Sequence, residues 1–94
     1  MSKKNNQKEK VIIFVTNNCP PCDKLLGDIK EKDKIEVRNV DRSKKDLELA
    51  LKHGLSSAPS ALLKEGKKYK VCDIYFDKEK KRPVAECEDR VIEL

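Results

Sequence analysis

The run "VIIFVT" (Val11 to Thr16), passing without a break into "NNCPPC" (Asn17 to Cys22), constrains this chain more than any other stretch. Six residues that are mostly β-branched or aromatic, with no polar alternation, suit a central strand covered on both faces. Two cysteines three positions apart then follow at the point where such a strand gives way to a helix. In a helix-like turn that spacing puts the Cα atoms about 5–6 Å apart, inside the window of an unstrained disulfide. Pro20 and Pro21 fall at first helical positions, where a missing N–H costs least and where their fixed φ is already helical. Cys19 is thus expected at the helix N-terminus and Cys22 one turn inside. The amides of Cys22 and Asp23 are expected to point back at the Cys19 sulfur. Such donors, together with the helix dipole, favour thiolate, the reactive form, and lower a cysteine pKa from about 8.5 into the range of roughly 3.5–7.5.

The rest of the chain supplies a small domain around this turn. Residues 1–9 are polar and are predicted to be a flexible tail, with residues 10–94 forming one domain. Leu25, Leu26 and Ile29 recur on one helical face and predict a helix over 20–32. Ile35 and Val37 alternate with charged residues and predict a strand to Val40. Ser43 followed by Asp46 resembles a capping box and opens a helix over 44–53, with Leu47, Ala50 and Leu51 as its buried stripe and Gly54 as its stop. Ser60–Leu63 and Tyr69–Phe76 read as two strands joined by a turn at Lys64–Lys67. The fold class expected is therefore α/β, a four-stranded mixed sheet in the order β-α-β-α-β-β. From Asp77 on, Val84, Cys87, Val91 and Leu94 sit at helical spacing behind Pro83, and a C-terminal helix is expected. The competing arrangement is a further hairpin strand that would set Cys72 opposite Cys87.

Three features together resemble a known family. "VIIFVTNNCPPC" resembles the first strand and active-site turn of thioredoxin-like proteins, closest in size and pattern to glutaredoxins. "LALKHGLSSAPSALL" resembles their second helix, cis-proline loop and third strand. The resemblance covers residues 11–76 and implies a thioredoxin-like fold and a thiol–disulfide oxidoreductase. By the same resemblance Pro59 is the cis-proline packed against the active-site cysteines, with Ala58 backbone groups free to pair with an extended substrate strand. Pro20, Pro21, Ala58 and Pro59 are then substrate-binding residues. The chain also departs from the pattern. Ile13 and Asn18 stand where thioredoxins carry a buried acid and a Trp, which leaves water or Lys24 as proton acceptor for Cys22. Pro21 stands where glutaredoxins usually have Tyr. Lys70 and Val71 replace a glycine pair ahead of Asp73, which argues against glutathione as the obligate partner.

In the mechanism expected, Cys19 attacks a substrate disulfide and Cys22 resolves the mixed disulfide. A protein disulfide is the expected substrate and a thiol or flavoprotein the expected reductant, with no cofactor beyond the redox-active cysteines. The alternative is a binding or adaptor module whose cysteines hold zinc or are idle. Cys72 and Cys87 read first as small buried apolar residues, then as a second redox or structural pair, and last as partners of Cys19 and Cys22 in a zinc site. His53, the lone histidine, complements a helix C-terminus. Charged residues make up 41% of the chain and its net charge is +5, but 17 acidic residues are interleaved with 22 basic ones and Trp is absent. No concentrated basic face with stacking aromatics is expected, and so no nucleic-acid partner. The polar opening and the strand-length apolar run lead us to expect no membrane partner and a cytoplasmic monomer.

Overall fold

The computed structural model describes residues 9–94. Residues 1–8 of the expected tail lie outside the described residues; Glu9 is already the first residue of a strand. In chain order the elements are β1 (Glu9–Val15), α1 (Pro20–Asp28), a single 3-10 turn (Lys32–Lys34), β2 (Ile35–Asn39), α2 (Lys44–Lys52), β3 (Ser60–Glu65), β4 (Lys68–Asp77), β5 (Arg82–Cys87) and β6 (Arg90–Glu93). The strands form one sheet in the order β2-β1-β3-β4-β5-β6. β1 and β2 are parallel and every other neighbouring pair is antiparallel.

The four-stranded, thioredoxin-like arrangement with a C-terminal helix is therefore incorrect: the sheet has six strands, and the segment after Asp77 supplies two of them. Helical spacing misled here because burial on both faces of a strand also buries residues at odd offsets. Val84 and Cys87 face opposite sides of β5 and both are buried, whereas Val91, which a helical stripe would bury with them, is exposed. Turn chemistry favours the strands. The Asp77 side chain accepts the N–H groups of Glu79 and Lys80, closing the β4–β5 turn, and Lys81 (φ 55°) and Glu88 (φ 42°) occupy the left-handed region that such turns use.

Pro83 is buried within β5, between two strands, instead of opening a helix. Its carbonyl accepts the Leu94 N–H at 2.9 Å, so the missing Pro83 N–H would also have faced Leu94. The Leu94 carbonyl, left without that donor, accepts the N–H groups of Lys30 (2.8 Å) and Glu31 (2.7 Å). This explains why α1 stops at Asp28 and not at residue 32. Ile29 makes the last helical bond, to Leu25, and the next two amides are drawn to the far end of the sheet.

Val11 to Val15 are all buried, as a two-faced central strand requires. Val11, Ile13 and Val15 pack with Ala61, Leu63, Cys72, Ala85, Cys87 and Leu94 beneath α1. Ile12 and Phe14 pack with Leu62 and Ala50 beneath α2. The expected stripe of α2 needs correction, since Ala50 is buried but Leu47 and Leu51 are 38% and 55% exposed. Asp46 takes the inward place instead: its carboxylate meets Arg38 at 2.8 Å, and Arg38 also pairs with Glu36 on the same strand. Ser43 caps the helix by accepting the Asp46 N–H at 3.3 Å. At one end of the sheet, Arg90 bridges Glu9 and Glu65, while Lys70 bridges Glu65 and Asp89. No helix among the described residues is long and apolar enough to cross a membrane.

Candidate thiol–disulfide site

Cys19 is the N-cap of α1, and Pro20 and Pro21 are its first two residues. The Cys22 N–H donates to the Cys19 sulfur at 3.2 Å. The second expected donor does not arrive: the Asp23 N–H is spent on the Cys19 carbonyl at 3.0 Å. The two cysteines are joined as a disulfide, with 5.2 Å between their Cα atoms. Both residues are buried, Cys19 retaining 8% of its surface and Cys22 1%.

The turn entering the helix is held from the side. Asn18 adopts φ 52°, a left-handed conformation that asparagine tolerates, and this turns the chain from β1 into Cys19. Just before it, the Asn17 N–H donates to Asp41 Oδ2 at 2.9 Å, and Asn17 Oδ1 accepts from the Asn39 side chain at 3.1 Å. Asn39 in turn accepts the Asp41 N–H at 2.8 Å. These three residues were not singled out from sequence. The available signal was "NVD" at the end of a strand, where Asn and Asp make local turns.

The Ala58–Pro59 bond is cis, and Pro59 immediately precedes β3. Ala58 packs against the apolar cluster that contains Cys19 and Cys22. Pro21 and Pro59 share a cavity of about 220 Å³ whose other apolar walls are Leu25, Ile74, Phe76 and Pro83. Pro20 is exposed at the start of α1. Lys24, considered as a proton acceptor for Cys22, is 81% exposed and pairs with Asp28 at 3.6 Å. The one buried carboxylate among the described residues, Asp46, is held by Arg38 under α2.

Cys72 and Cys87 are not idle buried thiols. They lie directly opposite each other on β4 and β5 and are joined as a second disulfide, with 4.1 Å between their Cα atoms. That separation is near the ~4.5 Å of a non-hydrogen-bonded antiparallel pair, the kind in which opposed side chains come closest. Both sulfur pairs belong to the one apolar cluster under α1, yet each cysteine is bonded only to its own partner. Val71 and Asp73 flank Cys72 on β4 and sit on exposed positions. His53 caps the end of α2, its Nδ1 lying 3.1 Å from the Leu49 carbonyl and its ring tilted against Tyr69. Compared with known proteins, the chain matches no family model, no curated protein and no solved structure.

Proposed function

We propose that this protein is a small thiol–disulfide oxidoreductase in which Cys19 is the nucleophile and Cys22 the resolving thiol. The observation that carries this is a disulfide seated on a helix N-terminus, with the Cys19 sulfur accepting the Cys22 N–H. A donor that holds the sulfur at the positive end of a helix favours the thiolate when the bond is open. The Cys19 thiolate attacks one sulfur of a substrate disulfide, forming a mixed disulfide and releasing the other sulfur as a thiolate that takes a proton from solvent. The Cys22 thiolate then attacks the Cys19 sulfur, closes the Cys19–Cys22 bond and expels the second substrate thiolate. Two electrons pass from the dithiol to the substrate, and a thiol or flavoprotein reductant restores the dithiol.

The resemblance of the Cys-Pro-Pro-Cys turn and the Ala58-Pro59 pair to glutaredoxin- and thioredoxin-type proteins supports the same activity. A protein disulfide is the substrate proposed, handled by a monomer in the cytoplasm without glutathione as obligate partner. Insulin reduction tests this with three proteins. Wild type is expected to be active, Cys19→Ser inactive, and Cys22→Ser arrested as a mixed disulfide through Cys19. Full activity in Cys19→Ser would end the proposal.

A further inference from the structure

β4 outruns β3. Their pairing stops at Ala61 with Cys72, so Ile74 to Asp77 keep β5 on one side and have no strand on the other. A single hydrogen bond fixes which backbone groups point to that open side. Pro83 directs its carbonyl at Leu94, hence away from β4. Opposed residues of an antiparallel ladder either exchange both bonds or turn both groups away. Phe76, the β4 partner of Pro83, therefore turns its N–H and C=O to the open edge, and by alternation Ile74 does the same. Ile74 there meets the position of Pro59, which has no N–H to offer, and Phe76 meets nothing. No turn or loop backbone bond reaches either residue among the described residues.

This edge borders the active-site turn. Ile74 and Phe76 wall the 220 Å³ cavity that also contains Pro21, the residue next to Cys22. That volume is below the roughly 300 Å³ of the smallest drug-sized pockets, but it is enough for one aliphatic side chain. Phe76 is 48% exposed, an open apolar wall. Past Phe76 the edge runs into the turn Lys78–Lys81. Lys80 is engaged by Glu93 at 3.0 Å, while Lys78, Glu79 and Lys81 are exposed and form no ion pair among the described residues, which leaves the turn with an excess of lysine.

We propose that an extended segment of a disulfide-bearing substrate polypeptide docks here as an added strand. Its backbone bonds the Phe76 N–H and C=O, one aliphatic side chain enters the cavity against Pro21, and an acidic residue lies toward Lys78 and Lys81. Unpaired backbone groups in strand geometry select an extended chain over a compact small molecule, and the excess of lysine over Glu79 in the turn favours an acidic residue on it. The proposal rests on the redox reading of Cys19 and Cys22.

The test joins Cys22→Ser protein through Cys19 to a short synthetic peptide carrying one cysteine, alternating aliphatic residues and a terminal glutamate. The comparison is the same protein joined to mercaptoethanol. Amide hydrogen exchange at Phe76 is expected to slow at least about tenfold in the peptide adduct relative to the mercaptoethanol adduct. Equal exchange in the two adducts overturns the docking strand while leaving the redox reading intact. Failure of Cys19 to form either adduct overturns the redox reading, and docking with it. A Phe76 amide already protected in the free protein, with a doubled mass in sedimentation, assigns the edge to a second copy and also overturns the proposal.

Discussion

Asp41, at the end of the segment following β2, accepts the backbone N–H of Asn17, two residues before Cys19, at 2.9 Å. The Asn17–Cys22 turn is thereby registered against a neighbouring strand as well as against its own helix. Asp41→Ala removes this acceptor and leaves the turn tied to the neighbouring strand only through the Asn39 side chain. The expected stability cost is about 1 kcal/mol, that of an ordinary hydrogen bond. The expected loss in insulin reduction is larger, roughly tenfold, because displacement of the attacking sulfur acts directly on reaction geometry. Thermal unfolding and the turnover assay, run together, separate the two effects.

The Cys72–Cys87 bridge closes a separation of 15 residues between strands already paired. For a loop of that size the chain-entropy account gives about 3 kcal/mol. Cys72→Ala with Cys87→Ala is expected to lose stability of about that size in denaturant unfolding. It should retain reduction of a small disulfide, since Cys19 and Cys22 are bonded to each other and not to this pair.

Arg38 is the partner of the buried Asp46 carboxylate and of Glu36. Arg38→Met keeps the apolar stem but strands the carboxylate at the first turn of α2. A cost of about 1–3 kcal/mol is expected, the usual penalty for leaving a buried acceptor without its partner. Arg38→Met with Asp46→Asn should recover part of it, because the remaining group is neutral. Urea midpoints of the two variants check this.

The hairpin of β5 and β6 carries two carboxyls with a defined pH response. Hydrogen bonding to Lys80 is the main cause that lowers Glu93, and hydrogen bonding to Lys70 is the main cause that lowers Asp89. Both bind protons less readily folded than unfolded, so their contribution is present above the ordinary carboxyl range. It is lost as pH falls below about 4 through the folded values. Unfolding midpoints should thus drop on acidification, by a small amount given how exposed both groups are. Glu93→Gln with Asp89→Asn should flatten that part of the profile.

Much of the site was legible because its signals are local. The strand–turn–helix at Val11–Cys22 needs only an apolar run, two prolines and cysteine spacing, and each residue there acts on its immediate neighbours. α2 was legible in extent through Ser43 and Gly54 but not in orientation. Leu47 and Leu51 point outward because Arg38, a residue from a different element, makes an inward Asp46 favourable. The final segment was misread for a related reason: Pro83 suits a helix start locally, and only its bond to Leu94 across the sheet makes it a strand residue. The Asn17–Asn39–Asp41 link was missed because it joins two short polar turns that sequence alone does not bring together.

The covalent tie between Cys72 and Cys87 sits at the root of the β4–β5 ribbon, just ahead of Ile74–Asp77, which have a strand on one side only. A slip of one position between these strands would swing the Phe76 amide inward and reverse which side chains look up or down. Stitched at its base, the ribbon behaves as a ruler whose graduations cannot shift. Opening this stitch would leave the Cys19–Cys22 bond in place while freeing β4 to slide, and the proposed docking strand would lose its fixed scale.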